Sequence, residues 1–252
     1  LGALSVILKQ VTVTGFIALA QTLIILTAGI DLSVGAILVL SSLIMGNLAV
    51  VTGLPAGLAV LIGIFFGALM GLVNGLLVTK VRLPPFIVTL GTLSIFESIK
   101  LWYSQSQSIR NVDIEAKAPS LLWFGDGLNF GGASLSYGGI ALILLAATLW
   151  YVLTNTAWGR HVHAIGDDPE AAKLSGINVN WVLTSVYVVA GAICGFSAWI
   201  AIGRVGSVSP IAFTDINLAS ITAVVIGGTS LFGGRGSILG TFFGALIVGV
   251  FT

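Results

Sequence analysis

The side chains best suited to chemistry are concentrated in one polar segment, residues 159–179, which reads GRHVHAIGDDPEAAKLSGINV. Histidines and carboxylates are typical metal ligands, but His161 and His163 are two positions apart and do not share a helix face. The pair Asp167-Asp168 also resembles the acidic pair of membrane transferases that hold Mg²⁺, yet no second acidic cluster accompanies it on the same side. We therefore predict no metal site and no catalytic residue, and we interpret the segment as a surface offered to a partner protein.

A short helix is predicted within this polar segment. Asp167 or Asp168 can cap its N-terminus with a carboxylate, and Pro169 suits the first helical position. Residues 170–172 followed by Gly176 have the pattern EAA-x3-G. Small residues at these positions favour a helix that fits closely into a groove of another protein.

The rest of the chain is apolar enough to lie in a membrane. Of its 252 residues, 57% are hydrophobic and 8% are charged, and the mean hydropathy is +1.11, whereas soluble domains carry about a quarter charged residues. A membrane-crossing helix needs about 20 apolar residues, and the period-2 alternation of a transmembrane β-barrel is missing from this sequence. A net charge of +1 gives no reason to expect a nucleic-acid partner.

We predict an all-α, polytopic transmembrane helical bundle with about 8 spans, and about 9 or 10 in a longer full-length protein. The predicted spans lie near residues 11–30, 32–52, 56–79, 85–103, 137–155, 181–203, 216–232 and 237–252. Glycines at four-residue spacing, such as Gly63, Gly67 and Gly71, predict faces where two helix backbones approach closely.

Two glycine-rich segments interrupt the apolar runs: residues 27–35, reading TAGIDLSVG, and residues 226–236, reading IGGTSLFGGRG. Glycine lets the backbone leave a helix, and Asp31 or Ser33 can then cap the helix that follows. The segments match weakly as an internal repeat. Paired interruptions point to a transporter site, because irregular backbone at membrane depth must be buried in protein or face water; the alternative is a pair of tight turns at the surface. The glycines predicted to break helices are Gly29, Gly35, Gly227, Gly228, Gly233 and Gly234.

Four stretches together resemble one family of membrane proteins. Residues 27–35, 71–91, 159–179 and 226–236 are similar to the ribose/xylose/arabinose/galactose branch of ATP-binding-cassette (ABC) import permeases, relatives of the branched-chain amino-acid permeases. The chain departs from the maltose-type permeases, because residues 186–189 read VYVV where Ile-x-Leu-Pro would be expected.

The resemblance implies a single transmembrane permease domain over residues 1–252 of a multi-pass protein in the bacterial inner membrane. It also implies that residues 105–136 form an extracytoplasmic excursion and that residues 156–180 form a cytoplasmic coupling loop. Lysine and arginine are divided evenly between the two faces, so this orientation rests on the resemblance. The residues expected to couple to the ATPase are Gly159, Arg160, Gly166, Asp167, Asp168, Glu170, Ala171, Ala172, Ser175 and Gly176.

The resemblance further implies the partners of the chain. Two permease chains, identical or similar, would cross the membrane together, and two cytoplasmic ATPases would hold ATP and Mg²⁺. A periplasmic binding protein would deliver a monosaccharide. The chain has no G-x4-GK[ST] pattern, so we expect it to bind no cofactor of its own and to have no enzymatic activity.

Polar and aromatic residues within the apolar spans are candidates for the sugar path. A polar group in the membrane is costly unless it serves packing, a partner or a pathway, and amides beside an aromatic ring suit a neutral sugar. An interhelical hydrogen bond or a helix cap is the alternative for each candidate. At the level of the whole chain, the alternatives are a secondary carrier or channel for a small polar solute, or an Asp-Asp-type membrane transferase. The candidates are Gln21, Asp31, Asn74, Phe86, Thr89, Phe213, Asp215 and Asn217.

Overall fold

Helices make up most of the chain. The computed structural model describes residues 2–130 and 133–251. Its helices are α1 (Gly2–Leu26), α2 (Val34–Gly46), α3 (Ala56–Thr79), α4 (Pro85–Ser104), α5 (Asn111–Lys117), α6 (Tyr137–Asn155), α7 (Ala157–Asp167), α8 (Pro169–Leu174), α9 (Val179–Val205), α10 (Ile216–Ile226) and α11 (Ile238–Phe251). A π-helical turn, Asn47–Val51, continues α2, and a 3-10 helix, Pro119–Gly125, precedes a hairpin of β1 (Gly127–Phe130) and β2 (Ala133–Ser136). The predicted all-α bundle is confirmed.

In the described part of the chain, six helical segments are long and apolar enough to cross a membrane: Val6–Leu26, Val34–Val51, α3, α4, α6 and α9. The predicted span near 216–232 is a helix of only 11 residues, and the predicted span near 237–252 is α11, which continues to the last described residue. Eleven residues of helix extend about 16 Å, roughly half of a hydrocarbon core. The expected span is cut short because Gly228 takes a φ of 83° and leaves the helical conformation. Apolar composition continues through this point, so hydropathy alone did not reveal the end of the helix.

α9 lies at the centre of the bundle and contacts α1, α2 and α3. The backbones of α3 and α9 approach so closely that a Cβ on Gly67 would lie 2.5 Å from the carbonyl oxygen of Gly191. A Cβ on Gly71 would overlap the carbonyl oxygen of Tyr187. The predicted glycine packing face is therefore confirmed, and van der Waals contact between the two backbones replaces side-chain packing here.

Residues 105–130 and 133–136 fold over one end of the bundle, at the opposite end of α6 from α7 and α8. We call these two ends the outer end and the α8 end. The ring of Trp123 stacks on Tyr137 with centroids 4.8 Å apart, and Phe124 meets Trp199 of α9 edge to face at 4.6 Å. An antiparallel bridge joins Ile109 to Val208. These contacts hold the segment against α9 and the loop that follows α9.

Candidate functional site

The polar segment folds into two helices, α7 and α8, that meet at Asp168. The carboxylate of Asp168 accepts hydrogen bonds from the backbone N–H groups of Glu170 at 2.9 Å and Ala171 at 3.1 Å, and Pro169 occupies the first helical position. The predicted helix start is confirmed at Asp168, while Asp167 ends α7. The first turn of α8 therefore satisfies its own N–H groups without a partner protein.

Gly176 reverses the chain after α8. Its φ is 85°, and the N–H of Ile177 donates to the carbonyl of Ala172 at 3.1 Å, a glycine-dependent helix end. A Cβ at Gly176 would meet nothing within 4 Å. Within this chain the position requires glycine for its backbone conformation and not for close packing.

The ten residues predicted to couple to an ATPase fall into a buried group and an exposed group. Gly159, Gly166 and Ala172 are buried and pack within the chain. The exposed members are Arg160, Asp167, Asp168, Glu170, Ala171, Ser175 and Gly176. Sequence reasoning missed Leu174, whose side chain is 88% exposed at the end of α8. An apolar residue in a polar segment was the signal that could have identified it, since exposed apolar groups at such places mark partner contacts.

The first break, residues 27–33 between α1 and α2, is held by side chains from distant helices. The carboxylate of Asp31 accepts from the N–H and the hydroxyl of Ser33 at 2.7 and 2.6 Å. The amide of Asn74 on α3 donates to the Ser33 hydroxyl at 2.8 Å and to Asp31 at 3.3 Å. On α4, the hydroxyl of Thr89 donates to the carbonyl of Ile30 at 3.1 Å. From Gly29 to Ser33 the break is thus largely buried, and side chains from α3 and α4 hold it.

The expected cap of α2 by Asp31 or Ser33 is wrong. Both side chains are engaged with each other, and Ser33 makes no side-chain cap hydrogen bond. The side-chain oxygen of Asn217, at the start of α10, instead accepts from the N–H of Gly35 at 2.8 Å. Gly35 itself lies inside α2, and the residue with positive φ in this break is Ala28, at 60°, and not Gly29. The N-terminal cap of α2 is therefore supplied by Asn217, in the other half of the chain.

The second break, residues 227–237 between α10 and α11, meets the end of α1 and the side of α7. The N–H of Gly234 donates to the carbonyl of Leu26 at 2.9 Å, and Nδ1 of His163 lies 3.1 Å from the carbonyl oxygen of Gly234. That oxygen is an acceptor, so Nδ1 of His163 carries the proton in this bond. A Cβ on Gly166 would overlap the Leu26 carbonyl and lie 2.5 Å from the Gly234 nitrogen. We call Leu26, His163, Gly166 and Gly234 the junction.

The helix-breaking glycines of the second break behave largely as predicted. Gly228, Gly233 and Gly234 have φ values of 83°, 85° and 70°, whereas Gly227 keeps a helical φ of −68°. The tip of this break protrudes, and Phe232 is 91% exposed. The alternative of a surface turn therefore describes the tip of the second break, but not the buried first break.

The structure brings together half of the predicted path residues. Asp31, Asn74, Thr89 and Asn217 all make hydrogen bonds in or onto the first break and α2. Gln21 is fully buried in α1, and both polar atoms of its amide lack a partner in the described part of the chain. The three others lie outside this group: Phe86 is half-exposed, Phe213 lies in the loop before α10, and Asp215 makes no side-chain hydrogen bond among the described residues.

Comparison with known proteins identifies the family. Residues 3–252 match the family model described as branched-chain amino acid transport system / permease component. The fructose import permease protein of Rhizobium meliloti is 55% identical over 249 residues, covering 99% of this chain and 69% of the relative. The ribose import permease protein of Bacillus subtilis is 40% identical, covering 96% and 73%, and the galactose/methyl galactoside import permease protein of Escherichia coli is 32% identical, covering 97% and 76%. No solved structure matches the chain.

The chain belongs to this permease family. A multi-pass membrane permease must satisfy the irregular backbone of the first break inside the protein. Thr89 of α4 and Asn217 of α10 do so at Ile30 and Gly35. Among residues 2–130 and 133–251, no group of three His, Cys, Asp or Glu side chains converges on a metal site.

Proposed function

We propose that this chain is the membrane-spanning permease subunit of an ABC importer that carries a monosaccharide into a bacterial cell. Its family membership and the sugar import permeases among its relatives support this proposal. The observation on which the proposal rests most is α8, a capped surface helix that ends in an exposed leucine and shows no use within the chain for its polar face.

The partners follow from this function. A cytoplasmic ATPase, which holds ATP and Mg²⁺, receives α8 in a groove, with Leu174 as the apolar anchor and the exposed carboxylates around it. A second permease chain, identical or similar, completes the path across the inner membrane, and a periplasmic binding protein delivers the sugar at the outer end. The chain itself hydrolyses no ATP.

The junction suggests how movement of α8 reaches the membrane. α7 and α8 are consecutive and share Asp168 as their hinge, so displacement of α8 pulls on α7. α7 contacts the end of α1 and the second break through Gly166 and His163. A shift of α7 therefore acts on both interrupted helices at once, which is a means of switching the bundle between outward-open and inward-open states.

The test uses Leu174→Asp in the complex with its ATPase subunit and binding protein. Loss of one buried leucine contact costs about 2 kcal/mol, or roughly thirtyfold in affinity for the ATPase. We expect less ATPase to copurify and ATP-driven sugar uptake into proteoliposomes to fall by a similar factor.

Val112→Asp is the matched control, because Val112 is a similarly exposed apolar residue at the outer end, 74% exposed on α5. It should leave ATPase binding unchanged. If Leu174→Asp binds as much ATPase as the wild type, α8 is not the docking helix. If uptake needs no ATP, the result favours a secondary carrier.

A further inference from the structure

A cavity of about 530 Å³ opens at the outer end of the permease, on the side away from α8. Its walls are the π-helical turn after α2, the end of α4, the loop that follows α4, and α5. We call it the outer cavity. Its volume lies within the range of about 300–1,000 Å³ that is usual for small-molecule sites.

The side-chain amides of the outer cavity make no hydrogen bond within the described part of the protein, unlike Ser104, whose hydroxyl donates to the carbonyl of Leu101 at 3.4 Å. Asn47, Gln105 and Gln107 line it, and their side-chain amides make no hydrogen bond to any residue in the described ranges. The same holds for the hydroxyl of Tyr103. In contrast, Asn74 and Asn217 at the first break are both engaged. Unused donors and acceptors therefore converge on one concave space.

Two of the helices that form the walls, α2 and α4, end in irregular geometry at the cavity. The N–H of Thr52 donates to the carbonyl of Asn47 at 3.1 Å, a five-residue spacing that widens the last turn after α2. α4 ends with Gln105 and Ser106 at φ values of 49° and 59°, a left-handed conformation that is unfavourable for residues other than glycine. Such strain persists where the surrounding structure holds it, often at ligand sites. Here it carries Gln105 and Gln107 around the end of α4 to the cavity wall.

The composition of the wall selects a neutral polyhydroxyl ligand. Amide and hydroxyl groups can both donate to and accept from sugar hydroxyls, and the ring of Tyr103 offers an apolar face. Asp113 and Lys117 also line the cavity, and their charges cancel. A phosphate group would need an excess of positive charge, which the wall does not supply.

A neighbouring cavity of about 510 Å³ provides the contrast. It is lined by apolar residues of α2, α3 and α4, such as Leu40, Phe66 and Phe96, and it shares only Tyr103 with the outer cavity. That cavity suits hydrocarbon. The wall changes from apolar to polar at Tyr103, so the two cavities differ in the ligands that they suit.

We propose that the outer cavity is a monosaccharide site, which receives the sugar from the delivering protein before the sugar enters the membrane path. This inference rests on the proposed import function. It assigns Asn47, Gln105 and Gln107 as the hydrogen-bonding residues and Tyr103 as the aromatic wall.

The experiment uses the full complex of permease, ATPase subunit and binding protein in proteoliposomes, with D-fructose, D-ribose and D-galactose as probes. The sugar that shows ATP-driven uptake is then followed in Asn47→Leu, Gln107→Leu and Ser108→Trp. We expect each variant to carry about tenfold less sugar per ATP hydrolysed, while stimulation of the ATPase by the loaded binding protein stays at the wild-type level. Asn111→Leu is the matched control, because Asn111 is an exposed amide at the same end outside the cavity, and it should change neither quantity.

Several outcomes would overturn the assignment. Gln107 and Ser108 lie in an exposed loop, so their variants decide the question if Asn47→Leu fails to fold. If Gln107→Leu and Ser108→Trp carry as much sugar per ATP as the wild type, the outer cavity is not part of the sugar route. If uptake and ATPase stimulation fall by the same factor, the region is instead a contact for the binding protein. If the wild-type complex itself carries none of the three sugars with ATP, the proposed function fails together with the site.

Discussion

The first and second breaks carry similar glycine-rich sequences, but different groups hold them in place. Side chains brace the first break: Asp31, Asn74, Thr89 and Asn217 reach it from the break itself and from three helices. The second break is held mainly by its own backbone, through the bond from Gly234 to Leu26 and local turns. The same sequence signal has therefore produced a fixed interior bend in one half and an exposed loop in the other.

This difference assigns separate tasks to the two breaks. The first break is buried and makes long-range side-chain hydrogen bonds, so its shape is set by the bundle. The second break lies at the α8 end, protrudes at Phe232 and contacts α7. We infer that side chains set the shape of the first break, whereas the second break, held by backbone contacts, changes more readily when α7 moves. Three substitutions, each compared with a matched variant, test this comparison.

The largest effect is expected from Gly166→Ala, which targets the junction. The added Cβ would overlap the carbonyl of Leu26 and press on the backbone of Gly234, and neither backbone segment can rotate away as a side chain could. We expect a loss of about 3 kcal/mol of stability, measured as a lower midpoint of thermal inactivation in detergent. Gly176→Ala is the control, because its Cβ meets nothing and only its φ of 85° is unfavourable, a cost of about 1 kcal/mol. Equal losses in the two variants would mean that Gly166 is not packed at the junction.

An intermediate effect is expected where side chains hold the first break. Asn74→Leu keeps the side-chain size but removes the donor to Ser33 and Asp31, both buried, which costs about 1–3 kcal/mol. Thr229→Val is the counterpart in the second break, because its buried hydroxyl has no partner among the described residues. We expect this change to be neutral within about 0.5 kcal/mol, or stabilising. The same thermal assay compares the two, and comparable losses would refute the division into a side-chain-braced break and a backbone-held break.

The sequence correctly predicted those features of the fold and of the site that depend on residues close together in the chain. Asp168 followed by Pro169 specifies the start of α8 locally, and the glycine spacing on α3 specifies a close helix contact. The cap of α2 by Asn217 joins residues 182 positions apart, so no local rule indicates it. Asp31 and Ser33 have the right types for a cap, but the presence of Asn74 decides that they bind each other instead. The interruptions could be located from the sequence, whereas the groups that hold them depend on the tertiary fold.

The smallest effect is expected from His163, the side chain through which α7 reaches the second break. His163→Ala removes one hydrogen bond to the carbonyl of Gly234, worth about 1 kcal/mol, so stability should change little and ATP-driven sugar uptake should fall by roughly fivefold. His163→Asn can still donate at the position of Nδ1 and should recover much of the uptake. His161→Ala is the matched control, since no hydrogen bond of His161 is found in the described part of the chain. A merely structural role for His163 would lower the thermal midpoint without separating uptake from ATP hydrolysis. A coupling role predicts the reverse, with ATP hydrolysis retained and less sugar carried per ATP, because the second break would no longer follow the movement of α7.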